Sequence, residues 1–247
     1  MTNPAPTPSG RTPVDESAPK PALVLSVNVG LAAPTDHSDV GFTAIDKRPS
    51  AGPVRVTVPG PGGSGLAGDE LCDVRHHGGE AQAVYAFARE DLDEWAELLG
   101  RALANGVFGE NLTTSGLDVT GTVIGERWRV GSALLEVTAP RIPCRTFAGW
   151  LGEKGWVKTF TQRAAPGAYL RVLEEGAVRA GDVVEVLERP GHGVSVGEAF
   201  RALTTERELL PRLLEVESLA ETARKRLGPA AVADTDTDTD TDTDSIP

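Results

Sequence analysis

The sequence predicts a mainly β, α+β fold: a strand-rich domain, barrel or sandwich, followed by a small C-terminal helical module. Three observations carry that expectation. Short apolar runs bounded by Gly or Pro recur at spacings of about 8–12 residues. Twenty-eight Gly and 18 Pro in 247 residues demand many turns, more than a helical bundle uses. After Val196 the pattern changes to Leu, Glu, Arg and Ala at helical spacing.

Leu23, Val24, Leu25, Val27 and Val29, ending at Gly30, read as a first strand. Val54 to Val58 alternates Val with Arg and Thr, a half-buried strand stopped by Pro59-Gly60-Pro61-Gly62-Gly63. Ala83 to Phe87 is another short strand. Glu90 to Leu99 is a helix: Leu92, Trp95, Ala96 and Leu99 share one face, acids open the first turn, and Gly100 follows the last. Val123-Ile124, Arg127 to Val130 and Leu134 to Val137 return to strand, separated by Gly125 and Gly131. Tyr169 to Leu173 and Val183 to Leu187 complete the set. In the last segment Phe200, Leu203, Leu209, Leu210, Leu213, Leu214, Val216 and Leu219 recur at helical spacing, and Pro211 fits a helix start.

These elements divide the chain into a disordered Pro/Ser/Thr-rich tail (1–21), a strand-rich domain (22–190), a helical module (191–229) and an Asp-Thr tail (230–247). Alternating carboxylates in that last tail repel one another, and nothing apolar is there to bury.

The net charge is −12, and half of that excess lies in the Asp-Thr tail. An acidic chain lacks the basic stripe that phosphate backbones require, so duplex nucleic acid is not an expected partner. No run of about 18 apolar residues exists, so no membrane span is expected. Met1 to Pro21 has no apolar signal region, and two cysteines are too few for a disulfide scaffold or iron–sulfur cluster. The expected compartment is the reducing cytoplasm.

Three segments are irregular enough to carry chemistry. In His76-His77-Gly78-Gly79-Glu80, paired glycines let backbone amides approach a ligand. The same pattern also fits a plain turn. Phe108-Gly109-Glu110-Asn111-Leu112 offers a carboxylate and an amide, which can bond a heterocycle edge or cap a turn. In Ala139-Pro140-Arg141-Ile142-Pro143-Cys144-Arg145, two arginines flank a cysteine, which should favour its thiolate and suit it to a soft metal. A buried, inert cysteine is the alternative. Cys72 lies beside Glu70 and Asp73, which disfavours a thiolate. A zinc site from His76, His77 and Cys144 is disfavoured because adjacent histidines in extended chain point apart. A pyridoxal site needs a Schiff-base lysine, and only Lys154 and Lys158 lie near these segments, in Gly/Trp-rich loop sequence.

In order and spacing, these segments resemble the MOSC domain, the family named for the C-terminal domain of molybdenum-cofactor sulfurases, and within it the YiiM-like subgroup. The matching stretches are Gly65-Leu66-Ala67-Gly68-Asp69, His77-Gly78-Gly79, Ala83-Val84-Tyr85, Phe108 to Thr113, Gly116-Leu117, Ile124-Gly125, Gly131 and Pro140 to Cys144. The resemblance implies a barrel-like fold. It implies the molybdenum cofactor (molybdopterin), with Cys144 as metal ligand and catalytic anchor, and with His77, Gly78, Gly79, Glu110, Asn111 and Arg141 around the cofactor. It implies reduction of N-hydroxylated compounds of the hydroxylaminopurine type, with electrons from a separate flavin or iron–sulfur reductase, since the chain carries no ligands or nucleotide fingerprint of its own for that task. The alternative is a carrier module in which Cys144 holds cofactor or a persulfide; a simple small-molecule-binding barrel is a third. Pyridoxal phosphate enters only as a family association. One departure stands out: the family usually reads Gly-Asp where this chain has Gly125-Glu126, and a longer acid bonds its own turn less well.

Overall fold

The computed structural model describes residues 21–74 and 77–227. The expected tails, save Pro21 at one end, and His76 lie outside the described residues.

The strands are β1 (Leu23–Val29), β2 (Ala33–Pro34), β3 (Phe42–Thr43), β4 (Arg48–Pro49), β5 (Val54–Val56), β6 (Val84–Ala88), β7 (Leu112–Ser115), β8 (Arg127–Val130), β9 (Ala133–Pro140), β10 (Ala168–Glu174), β11 (Gly176–Val178) and β12 (Val184–Glu188). Eight form one sheet in the order β12-β8-β9-β10-β6-β7-β1-β4. Neighbours are antiparallel except β6 and β7, which run parallel. A parallel pair needs a crossover, and helix α1 (Arg89–Leu99) supplies it.

The expected barrel-like fold is a curled eight-stranded sheet that does not close into a barrel: β1, next to the β4 edge, meets the β12 edge. β1 reaches the β12 end at a single bridge, Leu23–Val183, flanked by Val24 N–H to Asp182 C=O at 2.9 Å and Val184 N–H to Ala22 C=O at 2.8 Å. Register shifts in β1, β10 and β12 add the local twist that curls it.

β6 shows how the sheet carries two cores. All five of its residues are buried, so it reads as an unbroken apolar run rather than an alternating one. Val84, Ala86 and Ala88 face the aliphatic core under the sheet. Tyr85 and Phe87 face an aromatic core with Trp95, Phe108, Phe147 and Phe160. That second core anchors α1 through Leu92 and Trp95, with Gly100 ending the helix in the left-handed conformation. It also anchors two helices absent from the sequence reading, α2 (Arg145–Leu151), which that reading does not assign, and α3 (Trp156–Arg163), whose Lys158 stretch reads as loop.

The C-terminal helices are α4 (Val196–Thr204), α5 (Leu210–Leu214) and α6 (Glu221–Arg224). Ser195 caps α4 by accepting from Glu198 N–H at 3.1 Å. Pro211 sits in the first turn of α5, where its missing N–H is harmless. Ala199, Ala202, Leu210, Leu213, Val216 and Leu219 join the aliphatic core of the sheet, so this segment is stabilised by the strands it covers. Ala220 N–H donates to Thr138 C=O at 3.0 Å and fixes α6 against β9.

Candidate functional site

Cys144 stands where β9 gives way to α2. Pro140 ends the strand, Pro143 stiffens the approach, and Cys144 is the extended residue capping α2. Its carbonyl accepts from Ala148 N–H at 3.1 Å. Phe147 is fully buried and packs edge-on against Phe108 and Trp156, with ring centroids 5.2 and 5.3 Å apart. Aromatic packing thus holds the cysteine in place.

Burial pushes the Cys144 thiol up, yet it falls to about 6. A hydrogen bond from His77, the Arg141 charge and the Phe147 backbone N–H bring it down. Of the two flanking arginines, Arg141 supplies the stabilisation. Arg145 turns to Asp39 Oδ1 at 3.0 Å and the Asp36 carbonyl at 3.2 Å. Gly78 follows His77 at φ +94, and a side chain there would run into Leu71. This glycine fixes the loop that delivers the histidine.

Arg141 is buried, its guanidinium 4.9 Å from the Tyr85 ring centroid and 4.4 Å from that of Phe147. Nη1 donates to the Phe108 carbonyl at 2.5 Å. Nε is buried with no partner among the described residues. Gly109, at φ +75, leaves the space beside Nη1 that a Cβ would crowd at 3.2 Å.

Two cavities meet at Cys144. The first encloses about 770 Å³, part of it open to solvent, and is lined by Lys47, Asp69, Tyr85, Asn111, Arg141 and Cys144 among others. The second encloses about 1360 Å³ and runs from Cys144 to α6 and the residues just after it. His77, Gln82, Cys144 and Tyr169 border both.

Under the first cavity lies a polar network. Lys47 pairs with Asp69; burial pulls its ammonium pKa down, and the Asp69 charge opposes that pull. Asp69 also accepts from Gly30 N–H at 2.8 Å, Ser64 Oγ at 2.7 Å and Asn111 Nδ2 at 3.0 Å. Asn111 Oδ1 accepts from Tyr85 N–H at 3.1 Å. Glu110 is fully buried below it and accepts from Gly106 N–H at 2.5 Å, Phe108 N–H at 3.0 Å and Thr113 Oγ1 at 2.9 Å. Burial raises its carboxyl against these bonds.

Of the residues expected around the cofactor, the structure brings Cys144, His77, Gly78, Asn111 and Arg141 to the first cavity. Glu110 and Gly79 line neither cavity. Glu110 shapes the loop beneath, and Gly79 caps the 3-10 turn Glu80–Gln82. Lys47 and Tyr169 escaped the sequence reading because each stands alone in unremarkable surroundings. Asp69 and Tyr85 lay inside quoted motifs without being singled out. Lys154 and Lys158 are exposed and line neither cavity; Lys47 lines the first and Lys225 the second. Cys72 also borders the first cavity, and burial with the Glu70 charge raises its thiol. Glu126, the departure in the Gly125 turn, reaches inward: its carboxylate takes Trp128 Nε1 at 2.9 Å and Arg189 Nε at 2.7 Å, leaving Val123 N–H at 3.5 Å.

This fold and site define a small α+β domain built around one activated cysteine. Residues 73–185 match the MOSC domain family. Protein YflK of Bacillus subtilis is 35% identical over 205 residues, covering 81% of this chain and 90% of that protein. A protein named Reductase from Gibberella moniliformis is 29% identical over 208 residues, 83% of this chain and 36% of its own length. The crystal structure of YiiM from Geobacillus stearothermophilus superposes with a TM-score of 0.69 at 28% identity, over 84% of this chain and all of that one. The chain belongs to the MOSC domain family and is YiiM-like within it.

Proposed function

We propose that this protein binds the molybdenum cofactor through Cys144 and reduces N-hydroxylated compounds of the hydroxylaminopurine type. The observation that supports it most is the Cys144 thiolate, lowered to about 6 and flanked by a buried arginine with an unpartnered Nε.

The residues fit the group. Among the described residues no cluster of three His, Cys, Asp or Glu could hold a metal alone, so a metal on Cys144 must bring its other donors. Arg141 Nε is a buried donor without an acceptor, which a cofactor oxygen or ring nitrogen would satisfy. Lys47 adds a second cation on the same wall. Cys144, Arg141, Asn111 and Lys47 would hold the cofactor, with Tyr85 and Phe147 keeping the guanidinium fixed. When bound, the cofactor supplies two-electron redox chemistry at molybdenum.

The overall reaction joins two electrons and two protons to R–NHOH and yields R–NH₂ and water. His77 and Tyr169, bordering both cavities, are placed to pass protons between them. The electrons come from a separate flavin or iron–sulfur reductase. The relative named Reductase supports the oxidoreductase class.

The test is anaerobic conversion of 6-N-hydroxylaminopurine to adenine by protein purified from a cofactor-producing host, with an added flavin reductase and NADH. Conversion that requires both proteins and disappears in Cys144→Ser is expected. Turnover by the pure chain with NADH alone would overturn the partner assignment. The same thiolate also suits a sulfur carrier. Mass spectrometry separates the two: a Cys144 peptide heavier by one sulfur belongs to the carrier.

A further inference from the structure

We infer that the cavity on the α6 side of Cys144 is the substrate chamber, and that it takes the N-hydroxylated base as a nucleoside monophosphate. This rests on the reading above for the reacting group and adds where the substrate sits and what it carries.

The two cavities differ in chemistry. The first is lined by the buried cations Lys47 and Arg141. The second is larger and is shared between the sheet and the C-terminal segment. Its lining is mixed: Ile142, Pro143, Leu203 and Ala223 give an apolar surface on which a flat heterocycle can lie, and Asp39, Asp73, Thr222 and Tyr169 are among its polar members. Gln82 borders it too. Its Nε2 donates to Thr222 Oγ1 at 2.9 Å, which fixes the amide, and its Oε1 is buried with no partner among the described residues. A base N–H would satisfy that acceptor.

The charges point to the rest of the ligand. Lys225 and Arg226 line the same cavity and are exposed, and among the described residues neither pairs with a carboxylate. Arg145 borders it as well, held by Asp39, and Asp73 is the other carboxylate of the lining, itself engaged. In a chain of net charge −12, two cations with no carboxylate partner among the described residues form an anion-binding rim. A 5′-phosphate answers that rim, and the ribose spans the distance between base and charge. Arg141 and Lys47 remain with the first cavity, so each cavity receives its own anion.

Binding of fluorescent 2-aminopurine riboside 5′-monophosphate and of the unphosphorylated riboside tests this, using full-length protein from a cofactor-producing host. The monophosphate should bind about tenfold tighter. That preference should vanish in Lys225→Gln/Arg226→Gln and persist in Lys154→Gln/Lys158→Gln, two exposed lysines that line neither cavity. Gln82→Leu should weaken both ligands alike. Equal affinities in the wild type would overturn the proposal. So would a preference that survives the double variant but is lost in Arg141→Gln, because the phosphate would then occupy the first cavity. Competition by inorganic phosphate should affect the monophosphate alone; equal displacement of the riboside would place both in an unspecific site and also overturn it. No redox turnover enters these readings. Failure to reduce the hydroxylamine therefore counts against the proposed function and leaves the binding result standing.

Discussion

His77 hydrogen-bonds the Cys144 thiolate across the junction of the two cavities, joining a Gly-rich loop to the end of β9. The pair comes from segments far apart in the chain, and its chemistry depends on both staying in place.

The first prediction follows from that bond. In protein stripped of cofactor, the rate of Cys144 alkylation by iodoacetamide should fall as pH drops through about 6, since only the thiolate reacts. His77→Ala should move the midpoint upward. An unchanged midpoint in the variant would remove His77 from the activation of Cys144.

Gly78 offers an indirect route to the same bond. Its backbone is left-handed, and a methyl group would meet Leu71. Gly78→Ala should destabilise the fold by about 1–2 kcal/mol and raise the alkylation midpoint as His77 is displaced. Urea unfolding and the alkylation profile check the two halves separately.

Arg141→Lys keeps the charge and loses the planar contact with Tyr85 and Phe147. The loss of that stacking and of a charged hydrogen bond to the Phe108 carbonyl should cost about 2–3 kcal/mol in denaturant unfolding. Pterin retained after purification should fall as well. Full retention would remove the guanidinium from cofactor binding.

Asp91 makes a prediction remote from the site. Burial, with Asp118 and Glu90 nearby, raises its carboxyl from 3.8 to about 6, against the pull of Arg163 and Thr120. A raised carboxylate favours the fold in its protonated form. Its contribution is full below 3.8 and is lost as pH rises through about 6. Asp91→Asn should therefore be more stable than wild type at pH 8, by about 1–3 kcal/mol, and the gap should close toward pH 4. Thermal unfolding at both pH values measures it.

The strands were legible because each central one is a short apolar run between glycines, and β1, β6, β9 and β10 fall close to the expected places. α1 was legible because eleven residues are long enough to show a helical face. α2 and α3 were not. Seven and eight residues give barely two turns, and flanking Gly152 and Gly155 read as loop. What makes them helices is tertiary, the burial of Phe147, Trp156 and Phe160 against Trp95 and Phe108. The short pairings of β2 with β3 and of β4 with β1 also escaped, being two residues long.

At the site, Cys144 and its approach were legible from the prolines and arginines around it. The partner of the thiolate was only half so. The sequence offered Arg141 and Arg145 alike; the fold keeps Arg141, turns Arg145 to Asp39 and brings in His77 from another loop. Glu110 follows the other reading that the sequence allowed, a group that holds a turn. A carboxylate beside a Gly in a motif reads as a pocket group, but three local donors draw it beneath the surface. Lys47 was invisible, because a lone lysine shows no sign in sequence that an aspartate distant in the chain will bury it.

The most direct measurement is molybdenum and oxidised-pterin fluorescence per chain, for wild type and Cys144→Ser, from a host that loads a control molybdoenzyme. Metal and pterin in the wild type, with metal lost from a variant that keeps its circular dichroism, is the expected result. A wild type carrying neither, or a variant holding as much molybdenum as the wild type, would contradict a metal bound through Cys144.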